Sequence, residues 1–131
     1  QSIMENEVVT STEIRIQTLS PIVLYSTFLR PDGRKYTCYF QPEESEYDDL
    51  LSNNLKNKYR AFYREEPPTG EVELKSLNQP RLSVMKYKNI VIKGYSGRFI
   101  LRGPVPLLQM AIDGGLGSKN SQGFGCIKLI K

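Results

Sequence analysis

One long helical pattern, between residues 45 and 64, constrains the possible folds of this chain more than any other feature. Apolar side chains recur there at helical spacing: Tyr47, Leu50, Leu51, Leu55, Tyr59 and Phe62. Ser45 is a candidate N-cap, and Pro67-Pro68 would stop the helix. Acidic residues occupy its first part and basic residues its last part, which matches the helix macrodipole. We therefore predict a helix over residues 45–64.

The sequence before this helix is typical of strands. Residues 12–28 alternate apolar and polar side chains and resume as an apolar run after Pro21, which predicts a strand with a break. Pro31-Asp32-Gly33 supplies the backbone angles of a tight reversal, and an aromatic run follows it at residues 36–40. We expect a hairpin around this turn.

Strand-like patterns also follow the helix. Apolar residues alternate at 72–75, and a second β-like run covers residues 82–93. Gly94-Tyr95-Ser96-Gly97 is expected to reverse the chain into a strand at 98–102. This predicted hairpin would bring four basic side chains near one another: Lys88, Lys93, Arg98 and Arg102.

The C-terminal third completes a recognisable order of elements. A short buried helix is predicted from Pro104 or Pro106 to the glycines at 114 and 115, and a final strand at residues 124–130. Strand, helix, strand, strand, helix, strand is the order of a ferredoxin-like α+β domain, an antiparallel sheet backed by two helices. The open face of such a sheet, or the loops at its edge, can serve nucleic acid, although the fold alone assigns no function.

Charge is distributed unevenly along the chain, although the net charge is only +4. Residues 1–73 carry 8 basic and 13 acidic side chains, whereas residues 74–131 carry 10 basic and one acidic. The stretch between Glu73 and Asp113 has no acid but contains Lys75, Arg81, Lys86, Lys88, Lys93, Arg98 and Arg102. This pattern favours a polyanion-binding face over an ordinary solvated surface. A membrane surface is disfavoured because the basic residues lie on expected strands and not on an amphipathic helix.

The chain contains no histidine, which excludes a Ser-His-Asp triad, a His-ligated metal centre and a histidine general base within it. Cys38 and Cys126 lie far apart in the sequence and are expected to be free thiols of a reducing compartment. With 131 residues, 39% of them hydrophobic, the composition predicts one soluble, cytoplasmic domain over residues 1–131. No metal and no cofactor is expected.

A glycine-rich stretch precedes the last expected strand. Its glycines lie at positions 114, 115, 117, 123 and 125, with polar residues at 118–122. Glycines permit close approach of the backbone to an anion, and the polar residues offer hydrogen-bond donors, so a phosphate ligand is favoured. The P-loop and Rossmann motifs do not match, because both run from strand into helix and this stretch runs from helix into strand. The alternative, a helix C-cap with a flexible connector, explains Gly114 or Gly115 alone.

Residues 115–128 and 94–103 resemble a known family, and residues 19–23 and 53–59 add to the likeness. The family comprises the CRISPR-associated endoribonucleases of the RAMP superfamily, which process CRISPR repeat transcripts into guide RNAs. Its members carry two ferredoxin-like domains, and this chain is similar to the second. The resemblance, together with an opening on Gln1, implies the C-terminal domain of a longer two-domain protein.

The resemblance implies a metal-independent cleavage, in which a ribose 2′-OH attacks the adjacent phosphate and leaves a cyclic phosphate. The family's catalytic histidine usually lies in the first domain, so no catalytic residue is placed here and the chain's own status as an enzyme stays open. Lys119 or a hairpin arginine could supply the cation that the charged transition state needs. Ten residues are interpreted as RNA-binding: Gly115, Gly117, Ser118, Lys119, Gln122, Gly123, Lys88, Lys93, Arg98 and Arg102.

The implied partners are CRISPR repeat RNA, the first domain of the same protein, and either effector-complex subunits or a second copy of the chain. The leading hypothesis is the RNA-binding domain of a repeat-processing endoribonuclease of antiviral defence. The alternative is a non-catalytic RAMP subunit that coats guide RNA or scaffolds an effector complex. An unrelated ferredoxin-like RNA-binding module is disfavoured, because the aromatic ribonucleoprotein motifs are absent.

Overall fold

The computed structural model describes residues 8–130, except for the side chain of Tyr87. The regular elements are β1 (Glu13–Thr18), β2 (Tyr25–Leu29), β3 (Lys35–Tyr39), α1 (Tyr47–Tyr63), β4 (Glu73–Ser76), β5 (Arg81–Tyr87), β6 (Ile90–Ser96), β7 (Arg98–Arg102), α2 (Val105–Gly114) and β8 (Ile127–Ile130). A short 3-10 helix, Asn120–Gln122, lies between α2 and β8. Within the described residues, neither helix has the length and apolar composition that crossing a membrane requires.

A four-stranded antiparallel sheet, in the order β4-β7-β1-β8, forms the centre of the domain. Successive side chains of a strand point to opposite faces of the sheet. The apolar side chains share one face, and that face is buried. Ile16 lies opposite Phe99, and Leu101 lies opposite both Ile14 and Leu74. The two helices cover this face with Leu51, Leu55, Leu107, Leu108 and Ala111. The predicted ferredoxin-like α+β fold, a sheet backed by two helices, is confirmed.

Two ribbons of two strands each are inserted into this pattern. The β2–β3 ribbon, between β1 and α1, is the hairpin expected around Pro31-Asp32-Gly33. The β5–β6 ribbon, between β4 and β7, turns at Lys88 and Asn89, whose φ angles are 48° and 67°. Positive φ at both central residues is the signature of a type I′ turn, whose twist matches that of the paired strands.

The predicted reversal at residues 94–97 is wrong. β6 pairs with β5, whereas β7 pairs with β1 and β4, so the chain continues from the ribbon into the central sheet at Gly97. Phe99 and Leu101 explain this choice, because both are fully buried when β7 lies in the central sheet under the two helices. The four basic residues therefore do not share a hairpin: Lys88 and Lys93 belong to the ribbon, and Arg98 and Arg102 to the central sheet.

Helix α1 and strand β8 also begin at other residues than predicted. Glu46, not Ser45, occupies the N-cap position of α1, and no side chain caps it. Asp48 in the first turn instead accepts a hydrogen bond from the backbone N–H of Leu74 (3.0 Å), which ties α1 to β4. β8 is shorter than the expected strand at 124–130, because the backbone at 124–126 is bonded to the loop before it and to residues 19–21.

Candidate functional site

The glycine-rich loop, residues 115–125, is a folded element and not a flexible connector. The N–H of Ser118 donates to the carbonyl of Val23 at 2.6 Å. The N–H of Gly125 donates to the carbonyl of Pro21, and that of Leu116 to the carbonyl of Gly125, both at 2.8 Å. These three amides are therefore engaged within the protein, and the segment 21–23 serves as the support on which the loop rests.

Asn120 holds the two sides of the glycine-rich loop together. Its Nδ2 donates to the carbonyl of Leu116 at 3.0 Å and to the carbonyl of Phe124 at 2.9 Å. Both hydrogens of the amide group are thus used inside the loop. Asn120 was not among the predicted site residues, and its role here is to shape the loop.

Lys58 supports the glycine-rich loop from beneath. Its Nζ, reaching from α1, donates to the carbonyl of Gly115 at 3.1 Å and to that of Gly117 at 2.7 Å. Burial lowers the pKa of Lys58 to about 8, since desolvation disfavours the charged form. In the sequence, Lys58 was noted only as part of the basic end of α1. Its spacing from Leu51 and Leu55 does place it on the apolar face of the helix, which is the signal that could have found it.

The glycines of the loop serve different purposes. Gly115, Gly117 and Gly125 are buried. A Cβ at Gly117 would collide with the carbonyl oxygen of Val23, and one at Gly125 with that of Leu116. Gly123, in contrast, is exposed and has no neighbour within 4 Å of a Cβ, although its φ of +96° still favours glycine. Packing therefore requires Gly117 and Gly125, while Gly123 lies on the outer surface of the loop.

A groove of about 670 Å³ separates the glycine-rich loop from the β5–β6 ribbon. We call it the loop groove; it is lined by Met85, Lys86, Ile90, Ile92, Lys119, Gln122 and Phe124. Two of the predicted RNA-binding residues, Lys119 and Gln122, therefore share one surface. Lys86 joins them, although it was noted only as part of the acid-free stretch. Among the described lining residues there is no carboxylate, so two ammonium groups set the sign of the potential above an apolar floor.

Lys119 is held in place by its surroundings. Its Nζ lies 5.2 Å from the centre of the Tyr25 ring, a distance at which the ring face attracts a cation. The backbone of Lys119 is in the left-handed region, with φ of 62°, at the start of the 3-10 helix. The contact with Tyr25 therefore restrains the charged end of a side chain that lines the loop groove.

The other predicted site residues lie in several different places. Ser118 is partly buried and bridges to Val23. Lys88 is at the tip of the β5–β6 ribbon, and Lys93 is exposed on β6. Arg102 donates from Nε to Oε1 of Glu13 at 2.6 Å, and this bond raises the pKa of its guanidinium. Its charge is therefore neutralised locally, away from the loop groove.

Metal ligands do not gather in the described part of the chain. No group of three or more His, Cys, Asp and Glu side chains within residues 8–130 is placed to hold a metal ion. Cys38 and Cys126 are free thiols in the structure, as predicted.

An antiparallel sheet backed by two helices, with a structured glycine-rich loop before its last strand, defines a ferredoxin-like domain of the RAMP type. The family described as "CRISPR associated protein Cas6, C-terminal" matches residues 4–129 of the chain. The chain therefore belongs to the family of Cas6 C-terminal domains.

Named relatives agree with this assignment. The chain is 35% identical over 114 residues to CRISPR-associated endoribonuclease Cas6 1 of Methanocaldococcus jannaschii, a match that covers 86% of this chain and 43% of that protein. It is 32% identical over 118 residues to CRISPR-associated endoribonuclease Cas6 of Pyrococcus furiosus, covering 86% and 40%. A solved structure described as CRISPR associated protein Cas6 superposes with a TM-score of 0.81 at 29% identity, covering 99% of this chain and 52% of that one. The chain thus spans less than half the length of the curated relatives it matches.

Proposed function

We propose that this chain is the RNA-binding C-terminal domain of a metal-independent Cas6-type endoribonuclease that cuts CRISPR repeat RNA. The observation that carries the proposal is the loop groove, which Lys86 and Lys119 both line with no carboxylate among the described lining residues. Both curated relatives are endoribonucleases by name, and each is more than twice as long as the matched region. A preceding domain of the same protein would then complete the enzyme.

The chemistry of the groove suits a nucleic-acid strand. Ammonium groups attract phosphates without reading sequence, and the side chain of Gln122 can both donate to and accept from a base edge. Phe124 and Met85 offer apolar surface on which an unpaired base can stack. RNA bound here would therefore be held by charge and by stacking together.

The proton transfers of cleavage are assigned to residues outside this chain. The attacking 2′-OH needs a base, and the described tyrosines with perturbed ionisation are poor candidates, because burial raises the pKa of Tyr39, Tyr47 and Tyr95. Lys58 has a lowered pKa, but its amine bonds to two loop carbonyls under the loop. We therefore assign binding and charge stabilisation, not proton transfer, to this domain.

Binding measurements with paired variants test the proposal. In Lys86→Ala/Lys119→Ala the groove loses both ammonium groups, and affinity for a CRISPR repeat RNA should fall about tenfold at moderate salt. The slope of log K against log salt should also become shallower by about 1.4, since each single-strand phosphate contact contributes about 0.7. Lys35→Ala/Arg60→Ala removes the same formal charge from the start of β3 and from α1, and is the matched control.

The outcome separates the possible functions. Equal binding by the groove variant and the control would reject the loop groove as the RNA site. If the full-length protein binds repeat RNA but does not cut it, the non-catalytic RAMP subunit is favoured instead.

A further inference from the structure

A second, polar cleft of about 580 Å³ lies at the other end of the β5–β6 ribbon. Two guanidinium groups, of Arg81 and Arg98, stand on its wall with uncharged amide and hydroxyl groups, among them Gln17, Asn78, Gln79 and Ser83. None of the described lining residues is acidic. Of these residues only Arg98 was predicted to bind RNA, and the loop groove uses none of them.

The fold brings the two arginines together where the chain passes from the ribbon to the central sheet. Arg81 begins β5 and pairs with Ser96, the last residue of β6, while Arg98 begins β7 two residues later. Oδ1 of Asn78 accepts a hydrogen bond from the backbone N–H of Arg98 at 3.1 Å. Oγ1 of Thr18 accepts one from the N–H of Gly97 at 2.9 Å. Residues 97–98 in the wall of the polar cleft are therefore anchored by hydrogen bonds to two separate segments of the chain, at Thr18 and at Asn78.

Within residues 8–130, no ion pair neutralises the positive charge of the cleft. The ion pairs found in residues 8–130 use Arg34, Lys56, Arg60 and Arg102, and neither Arg81 nor Arg98 takes part in one. Arg81 and Arg98 are both exposed. A guanidinium is a planar fork of donors that matches two phosphate oxygens, so this pair is chemically suited to a phosphodiester backbone.

The uncharged lining points to unpaired nucleotides and not to a simple anion. Gln17 and Gln79 carry amide groups that can both donate and accept, which is the capacity needed to read the edge of a base. Small inorganic anions need donors only. A cleft that combines two guanidinium groups with several amides is thus built for a strand that presents phosphates and bases together.

The polar cleft and the loop groove lie along one face of the β5–β6 ribbon. Side chains alternate between faces, so Arg81, Ser83 and Met85 share a face; the first two line the polar cleft and the third lines the loop groove. Ser83 and Met85 are roughly 7 Å apart along the strand. The segment 21–23 packs against this face, since a Cβ at Gly94 would lie 2.8 Å from Cβ of Pro21. An RNA strand that occupies both cavities therefore has to pass over this segment.

We propose that the polar cleft is a second RNA subsite, in which Arg81 and Arg98 bind phosphates, and Gln17 and Gln79 contact bases, of unpaired nucleotides next to those held in the loop groove. This inference rests on the proposed RNA-binding function. It predicts that the RNA has a short segment whose contribution to affinity depends on the polar cleft and on nothing else.

The test uses a labelled CRISPR repeat RNA and versions of it shortened by two nucleotides at either end. For the parent chain, shortening one end should weaken binding about tenfold. Arg81→Ala/Arg98→Ala should weaken binding of the intact RNA by a similar factor, make the salt slope shallower by about 1.4, and remove the penalty of shortening. Gln79→Ala should weaken the intact RNA while leaving the salt slope unchanged. Lys35→Ala/Arg60→Ala is the matched control, and a melting curve accompanies each variant.

The failures are distinguishable. If the parent does not bind the repeat RNA, the proposed function fails and the subsite with it. If the parent binds and Lys86→Ala/Lys119→Ala weakens it, but Arg81→Ala/Arg98→Ala matches the control, only the subsite is overturned. The subsite is likewise overturned if the folded Arg81→Ala/Arg98→Ala variant still loses as much affinity as the parent when the RNA is shortened.

Discussion

Lys58 connects the core of the domain to the glycine-rich loop. Its stem leaves the apolar face of α1, and its ammonium group bonds to the carbonyls of Gly115 and Gly117. A buried lysine with a lowered pKa becomes neutral at a pH where exposed lysines stay charged. The charge beneath the loop is therefore sensitive to pH near 8, because burial lowers the pKa of Lys58 to about 8.

Raising the pH should move RNA affinity and stability in opposite directions. Between pH 7 and 9 Lys58 loses its proton in the folded protein, and the loss of this charge should weaken RNA binding by about two- to threefold. The unfolded chain retains the proton up to the ordinary lysine pKa, so the free energy of unfolding should rise over the same range and above it.

The measurement compares the parent with Lys58→Met in RNA titrations and in urea unfolding at pH 7 and pH 9. Both pH effects, on RNA affinity and on the free energy of unfolding, should be present in the parent and absent from Lys58→Met. Identical pH profiles in both proteins would show that Lys58 does not set the charge beneath the loop.

Two glycines of the loop should respond differently to substitution. In Gly117→Ala the new Cβ meets the carbonyl oxygen of Val23, so the loop must shift and the free energy of unfolding should fall by 2 kcal/mol or more, roughly the cost of overpacking. In Gly123→Ala the Cβ meets nothing, and only the strain of the left-handed backbone remains, about 1–2 kcal/mol.

Urea unfolding and RNA binding of both variants check this prediction. The proposed function adds that folded Gly123→Ala should weaken RNA binding several-fold, since Gly123 is on the outer surface of the loop. Equal destabilisation by the two substitutions would contradict the packing role of Gly117. Unchanged RNA binding by Gly123→Ala would remove Gly123 from the RNA-binding residues.

At the scale of elements, a buried serine fixes helix α1 to the strand that follows it. Oγ of Ser52 donates to the carbonyl of Val72 at 3.0 Å and accepts from the N–H of Val72 at 2.8 Å. Both backbone groups would otherwise be buried without a partner, which is costly. This contact, with that of Asp48 to Leu74, sets the position of α1 against β4.

Ser52→Ala should therefore lower the free energy of unfolding by about 1–3 kcal/mol, because two buried backbone groups lose their partner. Ser45→Ala is the control: Ser45 is exposed and makes no capping bond, so its change should stay within about 0.5 kcal/mol. Chemical denaturation of both variants gives the comparison. A larger loss for Ser45→Ala than for Ser52→Ala would restore Ser45 as the helix cap.

At the scale of the whole molecule, four basic residues of the second half of the sequence are divided between two cavities: Lys86 and Lys119 line the loop groove, and Arg81 and Arg98 line the polar cleft. The β5–β6 ribbon supplies Lys86 to the loop groove and Arg81 to the polar cleft, and Met85 of the loop groove shares a face of β5 with Arg81. Many of the acidic residues of the first half lie at the start of α1. One of them, Asp48, accepts a hydrogen bond from the backbone N–H of Leu74. Both halves contribute to the core, and the basic residues that line the two cavities come from the second half.

The isolated chain should bind CRISPR repeat RNA without cutting it, because a base for the 2′-OH is assigned to a preceding domain. Labelled repeat RNA incubated with the chain and a chelator, then resolved on a gel, tests this. The full-length protein serves as the positive control and should cut in the presence of the chelator. A specific product with a 2′,3′-cyclic phosphate from the isolated chain would contradict the assignment.

Periodicity was enough to predict α1, α2, the β2–β3 hairpin and the ferredoxin-like order, because each depends on side chains close together in the sequence. The turn at Lys88 and Asn89 was missed, since neither residue is a glycine and left-handed angles were expected at 94–97 instead. Which strands pair was decided at long range, by the burial of Phe99 and Leu101 between β1 and β4.

The sequence by itself determined the chemistry available to the site: an acid-free basic stretch, a glycine-rich loop and no histidine. Only the tertiary structure decided which of those groups share a surface. Lys119 and Gln122 meet Lys86 across the loop groove, Arg98 joins Arg81 in the polar cleft, and Arg102 pairs with Glu13. The physical reason is that composition sets charge and donors residue by residue, whereas the packing of a buried sheet and its inserted ribbon sets the distances between them.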